Sequence, residues 1–143
     1  MPIEMSRGRE TILLVEDEPD IRDFVGEVLK NRGYTVLEAR DGEDALRVVQ
    51  QYREPVHLVL TDVMMPKLGG RELVTRLLAR HPHLGVLYMS GYTDEALGAR
   101  GVLEAGAILL AKPFTPQQLV AKVRQVLDAT LIDRPLRVAL RVP

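Results

Sequence analysis

No cysteine occurs among the 143 residues, which excludes a disulfide framework and any thiolate metal site. No apolar stretch approaches the ~20 residues that a bilayer-spanning helix needs, and residues 1–10 are polar rather than signal-like. No membrane association is expected. Charge of one sign is not in excess either: a net charge of −1 with 27% charged residues offers no field for a polyanion, so no nucleic-acid partner is expected. Internal repeats and low-complexity segments are missing as well. What remains is one domain of ordinary size, able to bury roughly two-thirds of its unfolded surface without a staple, with the cytoplasm as its default location.

What the chain does have is a set of short, nearly unbroken apolar runs that end in charge. Ile12-Leu13-Leu14-Val15 runs into Glu16 and Asp17, Val56-His57-Leu58-Val59-Leu60 is followed by Asp62, and Ile108-Leu109-Leu110-Ala111 is closed by Lys112. Runs of this length and character read as strands buried on both faces, the mark of a parallel sheet covered by helices. Ligands of such sheets bind beyond the carboxyl ends of the strands, which is where these charges gather.

Strand-like and helix-like stretches alternate five times. Pro19 can sit at the first position of a helix in which Ile21, Phe24, Val25, Val28 and Leu29 follow at helical spacing until Gly33 stops it. Tyr34–Ala39 is a less apolar, edge-like strand, and Asp41 caps the helix bearing Ala45, Leu46, Val48 and Val49. Pro66, Gly69 and Gly70 mark a loop before a helix with Leu73, Val74, Leu77 and Leu78 on its buried side. Leu84–Met89 forms the fourth strand. A fourth helix, opened by Thr93, is weak because Gly98 and Gly101 lie inside it, each costing about 1 kcal/mol relative to alanine. After the fifth strand, Thr115-Pro116-Gln117-Gln118 has the form of a capping box ahead of Leu119, Val120, Val123, Val126 and Leu127. The expected fold is α/β: a (βα)5 doubly wound, parallel five-stranded sheet in the flavodoxin-like order 2-1-3-4-5, with a crevice between the first and third strands.

Carboxylates that converge repel one another unless a cation intervenes, and a hard oxygen set of this size favours Mg2+. Within such a site Asp62, central in the sheet, is the natural nucleophile toward a phosphoryl group, while Lys112 and Ser90 are placed to neutralise and hydrogen-bond its oxygens.

Four stretches then acquire a common meaning. Ile12-Leu13-Leu14-Val15-Glu16-Asp17-Glu18, Leu60-Thr61-Asp62-Val63-Met64-Met65-Pro66, Met89-Ser90-Gly91 and Lys112-Pro113-Phe114 resemble, in order and spacing, the signature of the response-regulator receiver domain of bacterial two-component signalling. The wording of the motifs is most like the terminal receiver of hybrid sensor histidine kinases. The resemblance implies that Asp62 accepts phosphate from a phosphohistidine. It also implies that Asp17, Asp62 and the Met64 carbonyl bind Mg2+ directly with Glu16 acting through water, that Ser90 and Lys112 engage the phosphoryl group, and that a cis bond precedes Pro113. Its implied partner is a histidine kinase or a histidine phosphotransfer protein, with a homodimer as a further option. The protein would be a phosphoacceptor rather than an enzyme, shifting the face built from the fourth helix, fifth strand and fifth helix.

One position departs from the family pattern. Leu109 stands where the family usually carries the Tyr or Phe that swings inward, so output would rest on backbone shifts after Ser90 and on the weak fourth helix, unless Leu109 is plain core. Met64 and Tyr92 occupy positions that border the phosphorylation site in the family. His57 reads as a satisfied core histidine, and His81 and His83, flanking Pro82, read as solvated.

The expected organisation is a flexible segment over residues 1–10, a receiver over 11–129 and an extension of unknown role over 130–143, with no output domain. From Leu136 the extension alternates, with Leu136, Val138, Leu140 and Val142 on one side, a strand period that reads as a pairing segment or an unpaired end. Two other classes are weaker. A haloacid-dehalogenase-like Mg2+-dependent phosphatase would need an acid two residues after the nucleophile, where Met64 stands. A flavin carrier would need a Ser/Thr/Gly-rich phosphate loop after the first strand, where Glu16-Asp17-Glu18 would repel the flavin phosphate.

Overall fold

The structure, a computed structural model, describes residues 8–65, 67–91 and 107–141, with side chains to 130. Five strands, β1 (Thr11–Val15), β2 (Thr35–Ala39), β3 (Leu58–Asp62), β4 (Gly85–Ser90) and β5 (Leu109–Ala111), form one parallel sheet in the order β2-β1-β3-β4-β5. The expected topology holds, with Tyr34–Ala39 at an edge. Four helices are described: α1 (Pro19–Asn31), α2 (Gly42–Gln51), α3 (Gly70–Arg80) and α4 (Pro116–Arg141). The weak helix expected from Thr93 lies outside the described residues, as does Tyr92.

Alternation along the strands divides the core in two. Ile12, Leu14, Leu58, Leu60, Leu87, Met89 and Leu110 face α1 and α4, meeting Val25, Leu29, Leu119 and Val123. Leu13, Val15, Val59, Tyr88 and Leu109 face the other way, where α2 and α3 supply Ala45, Leu73, Val74 and Leu77. Every residue of β1 and β3 is buried, as a sheet covered on both faces requires.

The helix starts follow their sequence signals. Asp41 accepts a hydrogen bond from the Asp44 N–H at 2.8 Å. The capping box at α4 is reciprocal: the Gln118 N–H donates to Thr115 Oγ1 at 3.1 Å and the Thr115 N–H to Gln118 Oε1 at 2.9 Å. Helix α3 begins without such help. Its N-cap, Gly69, has extended φ/ψ of −74° and 166° and no capping side chain, and a Cβ built there meets nothing nearer than the Val63 carbonyl oxygen at 3.6 Å. Gly69→Ser therefore supplies the missing acceptor and removes unfolded-state freedom. We expect a gain of about 0.5–1 kcal/mol, read as a higher midpoint in thermal unfolding followed by circular dichroism.

Several local expectations are corrected. Phe24 is 41% exposed because it sits at the edge of the apolar stripe of α1, where its ring meets Phe114 with centroids 6.4 Å apart. His81 and His83 are half-buried rather than solvated, since His81 ends α3 with its N–H on the Leu77 carbonyl at 2.8 Å. His57 Nδ1 accepts the Thr11 N–H at 2.9 Å, in keeping with a structural histidine. At the end of β1's lead-in, the Glu10 carboxylate lies 2.8 Å from Arg124 of α4. The alternating tail is helical, not a strand, because α4 runs on to Arg141 across Pro135. Extending an existing helix adds a hydrogen bond for each residue except Pro135, which has no N–H to give, and Leu, Arg and Ala are good helix formers, whereas a strand there would need a free edge beside it.

Candidate functional site

Strand register assembles the site. Val15 lies opposite Thr61, which sets Glu16 and Asp17 beside Asp62. Asp62 lies opposite Met89 and Ser90 opposite Ala111, and the Lys112 N–H donates to the Ser90 carbonyl at 2.8 Å. The ends of four adjacent strands thus bring Glu16, Asp17, Asp62, Ser90 and Lys112 to one edge of the sheet, as the sequence predicts. Glu16, Asp17 and Asp62 each offer a carboxylate oxygen within 4.8 Å of the others.

Lys112 is the counter-ion of the group. Its Nζ lies 2.8 Å from Glu16 Oε1 and 3.1 Å from Asp62 Oδ2, and the peptide bond to Pro113 that follows it is cis, as expected. Glu16 is fully buried, with its second oxygen accepting the Glu18 N–H at 3.1 Å. Burial works against its charge, but Lys112 and the Glu18 N–H outweigh it and hold Glu16 below the ordinary carboxylate range. Asp62 has the opposite outcome: burial and the negative charge of Glu16 push it up to about 7 against the pull of Lys112. The two acids share one ammonium, and the ionised member is Glu16, which holds it more closely. Asp17 is exposed, and burial of its carboxyl together with the Glu16 and Glu18 charges raises it. Burial disfavours the Lys112 ammonium, yet its two carboxylates raise its pKa.

The remaining residues frame this group. Ser90 is buried and Met64 is 53% exposed just beyond Asp62. Leu109 is buried and packs in the core with Tyr88 and Val63, so at this position the side chain is part of the core. Two contributors escape a reading of the sequence. Arg22 Nη1 donates to the Glu16 carbonyl at 2.8 Å, a reach of six residues that no local pattern announces. Gly70 is the other: a Cβ there would lie 2.2 Å from the Asp62 carbonyl oxygen, so α3 starts directly against the backbone of Asp62. The Gly69-Gly70 pair was its only signal.

An acidic cluster with one lysine beyond the carboxyl ends of a 2-1-3-4-5 sheet has counterparts among known proteins. The sequence pattern of the response regulator receiver domain matches residues 12–124. The sensor kinase CckA of Brucella abortus (strain 2308) is 36% identical over 121 residues, which are 85% of this chain and 13% of that protein. The response regulator receiver protein CpdR of the same organism is 35% identical over 118 residues, 82% of this chain and 97% of CpdR. The crystal structure of a response regulator receiver domain protein from Clostridium thermocellum superposes with a TM-score of 0.74 at 27% identity, covering 86% of this chain and 98% of that one. Among the described residues no helix is long and apolar enough to cross a membrane. The chain belongs to the response regulator receiver domain family of two-component signalling.

Proposed function

We propose that the module spanning residues 11–129 accepts a phosphoryl group on Asp62 from a phosphohistidine of a histidine kinase or a histidine phosphotransfer protein. The observation that carries this reading is the convergence of Glu16, Asp17 and Asp62 within 4.8 Å around Lys112. Asp62 Oδ attacks phosphorus, the P–N bond breaks, and the donor imidazole leaves with the electron pair. Lys112 exchanges a carboxylate for the incoming phosphoryl oxygens, and the Ser90 hydroxyl hydrogen-bonds them. The chain is thus a phosphoacceptor and not a catalyst acting on a separate substrate. A haloacid-dehalogenase-like phosphatase gains no support, because the position two residues after Asp62 is the exposed Met64.

The donor set fits Mg2+. Three oxygen donors lie close together, and burial with the Glu16 charge raises Asp62 despite Lys112, which is in keeping with room for a further cation. Asp17, Asp62 and the Met64 carbonyl would hold the ion, with Glu16 acting through water. When bound, it would supply charge neutralisation for the phosphoryl oxygens.

The buried Glu16 already has both oxygens engaged, while Asp17 is exposed and repelled by its acidic neighbours. Asp17→Ala should therefore weaken Mg2+ binding more than Glu16→Ala does. A Mg2+ titration followed by NMR shifts ranks the two, and equal losses would refute the ranking. The reading as a whole is tested by mass spectrometry after incubation with acetyl phosphate and Mg2+. A single Mg2+-dependent phosphoryl adduct on Asp62 is expected; an adduct elsewhere, or none, overturns it.

A further inference from the structure

Away from the acidic cluster, α2 and α3 leave a groove of about 540 Å3 between them. Leu46 and Val49 of α2 and Leu77 of α3 form its apolar floor, with Gln50 and His81 at its end, Arg76 and Arg80 on its α3 side and no carboxylate among its lining residues. Arg76 reaches only the exposed Glu72, and Arg80 makes no ion pair among the described residues. An apolar groove flanked by arginines selects a helix that carries an apolar side chain between acids.

The outer face of α1 has that character. Asp20, Asp23, Phe24 and Glu27 are all exposed, and among the described residues none of the three acids forms an ion pair. Phe24 is one of only two large apolar side chains exposed among the described residues. The spacings match: Asp23 and Glu27 are one helical turn apart, as are Arg76 and Arg80, about 6 Å in each case, with Phe24 lying between the two acids in sequence. A net charge of −1 leaves little long-range repulsion between copies.

We propose that the α2–α3 groove takes the α1 face of a second copy of this chain, Phe24 entering against Leu46, Val49 and Leu77 while Asp23 and Glu27 meet Arg76 and Arg80. Helix α1 packs with α4 on one face of the sheet and α2 with α3 on the other. The two surfaces of one copy therefore point in opposite directions. The contact is head-to-tail, does not close as a two-fold dimer, and grows with concentration. One helix in one groove makes a small interface, so the association is weak and salt-sensitive.

Sedimentation velocity over a concentration series tests this. The wild-type weight-average mass should climb above the monomer value with concentration and fall back in high salt. Arg76→Glu/Arg80→Glu and Asp23→Lys/Glu27→Lys should each stay monomeric while remaining folded, since all four side chains are exposed; the first pair gives up the Arg76–Glu72 contact and the basic last turn of α3, a loss of some degrees in midpoint that leaves the fold in place. Mixing the two variants restores complementary charge at both ends, and the mixture should associate again. A wild type that stays monomeric throughout, variants that associate as the wild type does, or a mixture that remains monomeric would each overturn the proposal.

Discussion

An Asp62→Asn protein should take up no phosphoryl group from acetyl phosphate and Mg2+ and yet be more stable than the wild type when the metal is chelated. Both results follow from one feature. The Asp62 carboxyl is buried beside an ionised Glu16, and its pKa rises from 3.8 to about 7. At about 1.4 kcal/mol per unit, that rise, which already includes the pull of Lys112, bounds the cost of ionising Asp62 in the folded protein at roughly 4 kcal/mol, and screening by solvent reduces it. Because the folded chain holds this proton to a higher pH than the unfolded chain does, the contribution of Asp62 falls as pH climbs from about 4 to about 7. The amide carries no such charge, and Lys112 keeps its closer partner, Glu16, at 2.8 Å. We expect Asp62→Asn to gain about 1–2 kcal/mol at pH 8, a rise of several degrees in the unfolding midpoint, to keep less than half of that advantage at pH 5, and to lose it below about pH 4. Mass spectrometry and pH-dependent thermal unfolding check the two halves separately. Uptake at the wild-type rate would remove Asp62 as acceptor, and a stability difference independent of pH would remove the buried charge as its cause.

The same opposition explains which parts of the molecule a sequence can reveal. Apolar runs ending in charge are local, and a parallel sheet converts strand ends into neighbours by register alone. Glu16, Asp17, Asp62, Ser90 and Lys112 were therefore legible before any geometry. The caps at Asp41 and Thr115 were legible for the same reason, since each needs only three residues. Phe24 was not, because its exposure depends on Phe114, which belongs to the loop after β5. The tail from Leu136 carries a strand period, but helix continuation from α4 is decided by what precedes it in the chain, not by its own alternation. Leu109 shares its core cluster with Tyr88 of β4 and Val63 just after β3, so only packing shows that it is core.

Gly70→Ala should be the most damaging single methyl that can be added near the site. The new Cβ would sit 2.2 Å from the Asp62 carbonyl oxygen and 3.1 Å from the Val63 Cα. Both neighbours are backbone, so no side chain can swing away to make room. The Gly70 N–H also donates to the Val63 carbonyl at 2.9 Å, and that bond has to lengthen if α3 retreats. Overpacking against a fixed neighbour costs typically 1–3 kcal/mol, and with the bond strained as well we expect a loss of about 3 kcal/mol in denaturant unfolding. The damage reaches the chemistry because the displaced carbonyl belongs to the residue that carries the acceptor carboxylate. Phosphoryl uptake by the folded fraction should slow as well. Gly69→Ala is the control: it adds the same methyl one residue earlier, where the nearest atom is 3.6 Å away, and should leave both stability and uptake close to wild type. If the two alanines behave alike, the close approach of α3 to Asp62 does not position the site.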